Sequence, residues 1–510
     1  MTAPSLLFKE ADDSARTSAS APDCFVDLNL DQVVGSICAR KQAYDLEPFF
    51  HAPLQDLDAI HYRHEVFREL DNDELHAAVA RFAQGLSTMR QWLNQAEEMH
   101  YERQKQRWFV DAVGAYCEAV QGLARRLFEM RLHSRAFQRF RQYLDSYTRS
   151  PAFTDLASET TRLQSELEAI RYCVRIRGNT VRVTRYEGEA NYSAAVLETF
   201  SKFKQGEVKG YEAKFIDSPN MNHVEAQVLQ GVVKLHPDLF ARVEQFCRAR
   251  ADFMDAAVAR FDREVQFYVG YLEYTADLKK AGLAFALPAL SDTDKAIAVA
   301  ETFDLALAHK LVVNDSKVVT NDVTLDGPER IIVVSGPNQG GKTTFARTVG
   351  QLHYLAALGC PVPGRQAKLF LCDAVLTQFE REEDIANLRG KLEDDLVRIR
   401  RLLERATSSS VIILNELFSS TSTRDARWLG ETILRRIMDL DALGVYITFI
   451  DELSTLSEQT VSMSSTVDAD DPSVRTFKVV RKAADGRAYA ITLAEQHGLT
   501  YRKLINRIAS

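Results

Sequence analysis

A chain of 510 residues exceeds what one hydrophobic core usually spans, so about two to four domains are expected. Its 46% hydrophobic and 26% charged residues, with only 23 Gly and 13 Pro, exclude a largely disordered or collagen-like polypeptide. A formal charge of −8 excludes a uniformly basic nucleic-acid coat but leaves room for local basic patches.

Seven cysteines (Cys24, Cys38, Cys117, Cys173, Cys247, Cys360, Cys372) show no C-x-x-C spacing, which fits neither a disulfide framework nor a zinc site. No apolar run approaches the roughly 20 residues that cross a bilayer, and the first residues lack a charged-then-apolar leader. A soluble protein in a reducing cytoplasm is the expectation.

Residues 1–22 are small, polar and unpatterned, as in a frayed tail. From Phe25 to about Lys310 the chain reads as long amphipathic helices; Phe137, Phe140, Leu144 and Tyr147 recur at helical spacing. Within it, Arg131, Arg135 and Arg139 fall four apart, on what that spacing predicts to be one helical face. Arg125–Arg149 holds seven arginines against Glu129 and Asp145. Such a stripe either tracks phosphates or is a solvated face.

The exception to helix is Cys173–Tyr186. There Val174, Ile176, Val181 and Val183 alternate with Arg175, Arg177 and Arg182 about a Gly178-Asn179 turn, predicting a β-hairpin with one charged face. Arg175, Arg177, Arg182 and Arg185 are candidate DNA contacts, because a two-stranded ribbon can enter or cross a groove.

After Val312, short β-branched runs alternate with helices: Ile331–Ser335, Lys368–Cys372, Val411–Leu414 and Val445–Ile450. This pattern predicts an α/β domain. Gly336-Pro337-Asn338-Gln339-Gly340-Gly341-Lys342-Thr343 matches G-x-x-x-x-G-K-[ST] between a strand and a helix, the context a phosphate-binding loop requires. Glycines let backbone N–H groups close around phosphate oxygens, Lys342 supplies a point charge and the Thr343 hydroxyl can ligate Mg²⁺.

Val411–Leu414 is a buried-strand pattern ending in Asn415-Glu416, expected beside the phosphate-loop strand. Glu416 is the candidate to position or deprotonate an attacking water. Asn415 stands where such ATPases usually carry Asp, and its amide oxygen can still accept from a metal-bound water. These residues predict an ATPase using ATP and Mg²⁺.

In order, the runs SGPNQGGKTT, LRGKLEDDLVRI, VIILNELFSSTSTRDA, YITFIDEL and AYAITLAEQHGL resemble the ATPase domain of MutS proteins. Pro337-Asn338 and Ser420-Thr421-Ser422-Thr423 are the most specific pieces, and Asn321-Asp322 resembles the family's segment near the adenine. DLNLDQVV (Asp27–Val34) and PLQDLDAIHYRHEVFREL (Pro53–Leu70) are similar to the family's helical core.

The resemblance implies a multidomain fold: a mostly α-helical core/lever and clamp region, then a C-terminal α/β P-loop (ABC-like) ATPase domain. It divides the chain into a flexible tail at 1–22, a helical core/lever at 23–154, a clamp-like insertion with the hairpin at 155–235, returning lever helices at 236–310 and the ATPase at 311–510. Gly336, Pro337, Asn338, Gln339, Gly340, Gly341, Lys342, Thr343, Thr344 and Asn321 would bind the nucleotide, with Thr343 and Asn415 toward Mg²⁺ and Lys342 and Glu416 catalytic. A homodimer with shared ATP sites is implied, Gly390-Lys391 falling at the trans-acting loop, with DNA and a repair or recombination protein as partners.

Two departures stand out. Gly390-Lys391 replaces a Ser-Thr pair, and Phe449 falls where the family usually carries a His, although a phenyl ring cannot donate to phosphate. Slow hydrolysis or an altered switch is expected. With the core resemblance starting near residue 25, no space is expected for a mismatch-reading domain, nor for a nuclease-like domain after Ser510. Phe8-Lys9-Glu10 and Phe67-Arg68-Glu69 match the mismatch wedge only by coincidence of spacing. The function expected is ATP-dependent gripping and release of mismatched, branched or otherwise unusual DNA. The alternatives are an ATP-binding switch with little hydrolysis, or a P-loop ATPase acting on protein partners without DNA.

Overall fold

The apolar runs after Val312 become strands because β-branched, doubly buried sequences satisfy their backbone in a parallel sheet covered on both faces. In the computed structural model, which describes residues 4–9, 17, 20–178, 180–189, 221–380, 390–418, 420–468 and 474–483, the chain divides into two units. The first comprises residues 1–71, 133–137 and 263–510, and the second 72–132 and 138–262. The mostly helical first part and the mixed α/β part that follows agree with the predicted fold class.

The strands, in chain order, are the hairpin β1 (Tyr172–Arg177) and β2 (Thr180–Arg185), then β3 (Phe285–Ala286), β4 (Ala289–Ser291), β5 (Ile297–Thr302), β6 (Asn321–Leu325), β7 (Ile331–Ser335), β8 (Val362–Pro363), β9 (Gln366–Phe370), β10 (Val375–Phe379), β11 (Val411–Asn415), β12 (Leu443–Ile447), β13 (Thr460–Val467) and β14 (Arg475–Arg481). In the first unit a six-stranded sheet runs β10-β11-β12-β7-β13-β14, parallel except for the β13–β14 pair. A four-stranded sheet, β4-β9-β5-β6, and the pair β3-β8 accompany it.

Every residue of β7, β11 and β12 is buried. The helix Lys342–Ala357 packs beneath them and is itself buried along most of its length. Gly350 makes that packing possible, because a Cβ there would sit 2.4 Å from Leu28 Cδ2 and 2.7 Å from Ile413 Cδ1. Gly350→Ala is expected to cost about 1–3 kcal/mol of overpacking, offset only in part by about 1 kcal/mol of helix propensity. A lowered unfolding midpoint in a thermal melt checks this.

Three expectations are corrected. Part of the frayed tail is core: Leu6 and Leu7 are 1% and Phe8 is 6% exposed. The Glu264 carboxylate accepts from Ser5 Oγ (2.8 Å) and Leu6 N (2.6 Å), Arg63 donates to Leu7 O (3.2 Å), and the hydroxyls of Tyr62 and Tyr268 donate to Ser5 O and Leu6 O. Three adjacent apolar side chains in a polar stretch suffice when buried charges satisfy their backbone.

Next, strands appear before Lys310, since β3, β4 and β5 occupy 285–302, where helix was expected. Finally, Arg131 does not share a helix with Arg135. The helices Glu102–Glu129 and Arg135–Thr148 are separate, and the break is held by Glu69, which accepts from His133 N, Ser134 N and Ser134 Oγ. Arg135 is bound to Glu65 (2.9 Å) and Asp58 (2.8 Å), a structural ion pair in the first unit.

In the second unit, the helices Asp73–Glu98 and Glu102–Glu129 approach so closely that a Cβ on Gly85 would lie 2.7 Å from Ala119 Cβ. Phe140 stacks on Phe261 at 3.7 Å, and Tyr143 Oη donates to Asp255 at 2.8 Å.

Candidate functional site

β7 delivers the chain into a loop that alternates conformations few side chains tolerate: Gly336 has φ 110°, Gln339 59° and Gly341 91°. Crowding requires glycine at Gly336 as well, and at Gly340. A Cβ on Gly336 or Gly340 would fall 2.5 or 2.6 Å from Ser465 Oγ on β13. Local motif reading did not single out Ser465, whose nearness to the loop depends on strand order alone.

Lys342 opens the following helix at 4% exposure. Its Nζ donates to Gly336 O (2.9 Å), Pro337 O (3.4 Å) and Asn338 Oδ1 (3.2 Å), so the ammonium points into the concavity of the loop. Burial pushes it below the usual lysine range, and the Glu416 carboxylate pulls it back up. Thr344 lies one residue further along the helix, its carbonyl accepting from Thr348 Oγ1 (2.9 Å).

β11 was expected beside β7, but β12 lies between them. Strands are about 4.8 Å apart, so the two motifs are separated by about 10 Å of sheet, and only side chains can close the gap. They do: Thr343 Oγ1 donates to Asn415 Oδ1 at 3.0 Å, and Lys342 Nζ lies 3.6 Å from Glu416 Oε1. Glu416 has φ 49° and Phe418 62°, a strained turn whose Glu416 N–H is held by Ile447 O at 3.1 Å. Bulky residues in this region of backbone persist where surrounding structure over-determines them.

Asn321, first residue of β6, spends both ends of its amide on β14, accepting from Val479 N (2.8 Å) and donating to Phe477 O (3.3 Å). Phe449 follows β12 at 52% exposure and offers no donor. Gly390 is the uncapped N-cap of the helix Lys391–Arg405, and Lys391 pairs with Glu380. Ser422 of the Ser420–Thr423 run caps the helix Thr423–Asp439, accepting from Asp425 N at 3.2 Å.

The hairpin forms with the expected alternation, its register placing Arg175 opposite Arg182 and Ile176 opposite Val181. Asn179 of its turn lies outside the described residues. Val183 packs on the helix His223–Leu235 at Gly231, where a Cβ would clash at 2.7 Å, while Ile176 at the tip is 73% exposed. Arg175 pairs with Glu189 (3.0 Å) and Arg185 donates to Leu235 O (3.0 Å). Arg177 and Arg182 are exposed and form no ion pair with a described residue. Among the described residues no cluster of His, Cys, Asp and Glu could hold a metal, all seven cysteines are unpaired, and no helix is long and apolar enough to cross a membrane.

Residues 332–508, from β7 onward, match MutS domain V. At family level the chain matches MutS. The MutS resemblance extends beyond that domain in the relatives. A DNA mismatch repair protein MutS of Halalkalibacterium halodurans is 28% identical over 292 residues, covering 55% of this chain and 32% of its own length. The MutS 2 protein of Halobacterium salinarum is 26% identical over 324 residues (58% and 37%), and the MutS of Thermotoga maritima 31% over 193 residues (37% and 24%). The chain thus spans between 22% and 37% of the length of these curated relatives. The closing MutS-like segment, residues 488–499, lies outside the described residues.

Proposed function

We propose that this chain is a MutS-type ATPase that couples ATP binding and hydrolysis to gripping or releasing DNA. Likeness to MutS supports a general DNA-binding ATPase function. The observation that carries the reading is the convergence of Lys342 and Thr343, at the start of one helix, with Asn415 and Glu416, at the end of β11.

Lys342 would exchange the loop carbonyls it now holds for the oxygens of the β- and γ-phosphates, while the N–H groups of the loop surround them. Thr343 and Asn415 fit Mg²⁺, because the Thr343 hydroxyl gives its proton to Asn415 Oδ1 and keeps a lone pair for the ion. The ion would neutralise charge on the phosphate oxygens. Glu416 would orient the water and take its proton. Gly390 and Lys391, at the exposed start of their helix, would complete the site of a second copy in a homodimer.

Phosphate release and gel-shift binding, measured side by side on homoduplex, mismatched and four-way-junction DNA at one salt concentration, test the reading. Preference for one DNA form with nucleotide-dependent release supports it. Turnover with no DNA binding points to an ATPase acting on protein partners. A second reading, an ATP-bound switch with little hydrolysis, is favoured by the neutral Asn415 and the donor-less Phe449. Binding without single-turnover cleavage would establish it.

Arg177 and Arg182 are the hairpin side chains proposed to meet DNA phosphates. Replacing both with Ala is expected to lower the slope of log affinity against log salt by about 2, at about 0.9 per phosphate contact, and to leave DNA-free ATP turnover unchanged. An unchanged slope in a salt titration would remove the hairpin from the interface.

A further inference from the structure

We propose that Ile176, at the tip of the β1–β2 hairpin, is a wedge that enters a duplex between stacked base pairs, so that the DNA gripped best is one with a weakly stacked step. The inference deepens the DNA reading of the hairpin and rests on it.

The register divides the hairpin into two faces. Antiparallel partners share a side and neighbours along a strand alternate, so Val174, Ile176, Val181 and Val183 lie on one face and Arg175, Arg177 and Arg182 on the other. Only the base of the apolar face is covered. Val183 packs against Gly231 of the helix His223–Leu235, and Arg185 fastens the end of β2 to Leu235 O at 3.0 Å. Toward the tip, Val174 and Val181 are each 42% exposed and Ile176 is 73% exposed, more than any other large apolar side chain among the described residues.

Folding does not account for this isoleucine. Its pairing with Val181 steadies the tip, but threonine, equally β-branched, would do so without leaving an apolar side chain in water. The turn asks nothing of it either, since Gly178 supplies the left-handed conformation at φ 59°.

The charges beside it fix the kind of partner. Arg175 is held by Glu189 at 3.0 Å, but Arg177 and Arg182, which follow Ile176 and Val181 along their strands, form no ion pair with a described residue. Their long stems let each guanidinium reach back along the ribbon while the apolar tip goes forward. A duplex matches both demands, with phosphates along the groove rim and apolar base faces in the stack. Isoleucine is among the side chains that part a base step from the minor groove and kink the DNA. Opening costs least at a mismatch or a pyrimidine–purine step, so the wedge turns weak stacking into affinity without a hydrogen bond to any base edge.

The test uses the whole chain and two duplexes carrying 2-aminopurine, a base that brightens when unstacked, placed opposite cytosine in one and opposite thymine in the other. Wild type is expected to brighten the mismatched duplex on binding and to prefer it about tenfold or more. Ile176→Thr is expected to lose most of the brightening and of the preference, with the slope of log affinity against log salt within about 0.3 of wild type, and Ile176→Leu to behave as wild type. The unchanged slope would show the hairpin formed and Arg177 and Arg182 still in contact. Retained brightening in Ile176→Thr, or a fall in its salt slope, overturns the wedge; the second result would make Ile176 a support for the arginines. Wild type that binds both duplexes alike, or without brightening, overturns the wedge and leaves the DNA reading. Wild type that binds neither overturns both.

Discussion

Lys342→Ala is expected to reduce ATP turnover by about 100-fold or more, the scale on which a preorganised charge facing developing phosphate charge acts. Lys342 is 4% exposed, and its ammonium is anchored to the same loop whose amides would hold the phosphates. Removing it deletes a cation fixed inside the loop. It also leaves the carbonyls of Gly336 and Pro337 without this donor, so a thermal melt separates lost chemistry from a loosened loop. Full turnover in a well-folded Lys342→Ala protein would remove the loop from the mechanism.

Glu416→Gln is expected to lower single-turnover cleavage by about 100- to 10,000-fold, the range of general base catalysis, with ATP affinity retained. A Gln keeps the shape but can take no proton from water. The substitution has a second, signed effect. Burial lowers the affinity of Lys342 for its proton and Glu416 restores part of it, so in Glu416→Gln the ammonium deprotonates at lower pH. ATP binding in the variant should therefore fail at a lower alkaline pH than in wild type. Coincident profiles would show that the 3.6 Å separation carries no electrostatic coupling.

Much of the loop could be read in advance because its requirements are local. Strand Ile331–Ser335 lies where the apolar run predicted it, and Val411–Asn415 is one residue longer than its run. The order of the strands is different in kind. Nothing local to Val411–Asn415 says that β12 will intervene before β7, because parallel neighbours are chosen by crossover packing rather than by adjacency in the chain. Ser465 escaped for the same reason, mattering only through what β13 brings to the loop. Ser5–Phe8 escaped because polar neighbours mask a short apolar triplet, and its partner Glu264 is remote in sequence.

That remoteness bears on the order of events during synthesis. Ser5 and Glu264 are 259 positions apart, and Arg63 reaches 295 positions forward to Leu358 O. Ser5–Phe8 must wait, unsatisfied, until the chain has been made as far as Glu264. Contacts of this separation are slow to close, and their apolar surface is open meanwhile. Leu6, Leu7 and Phe8 are therefore a stretch that the native fold would cover late and that stays open to a chaperone meanwhile.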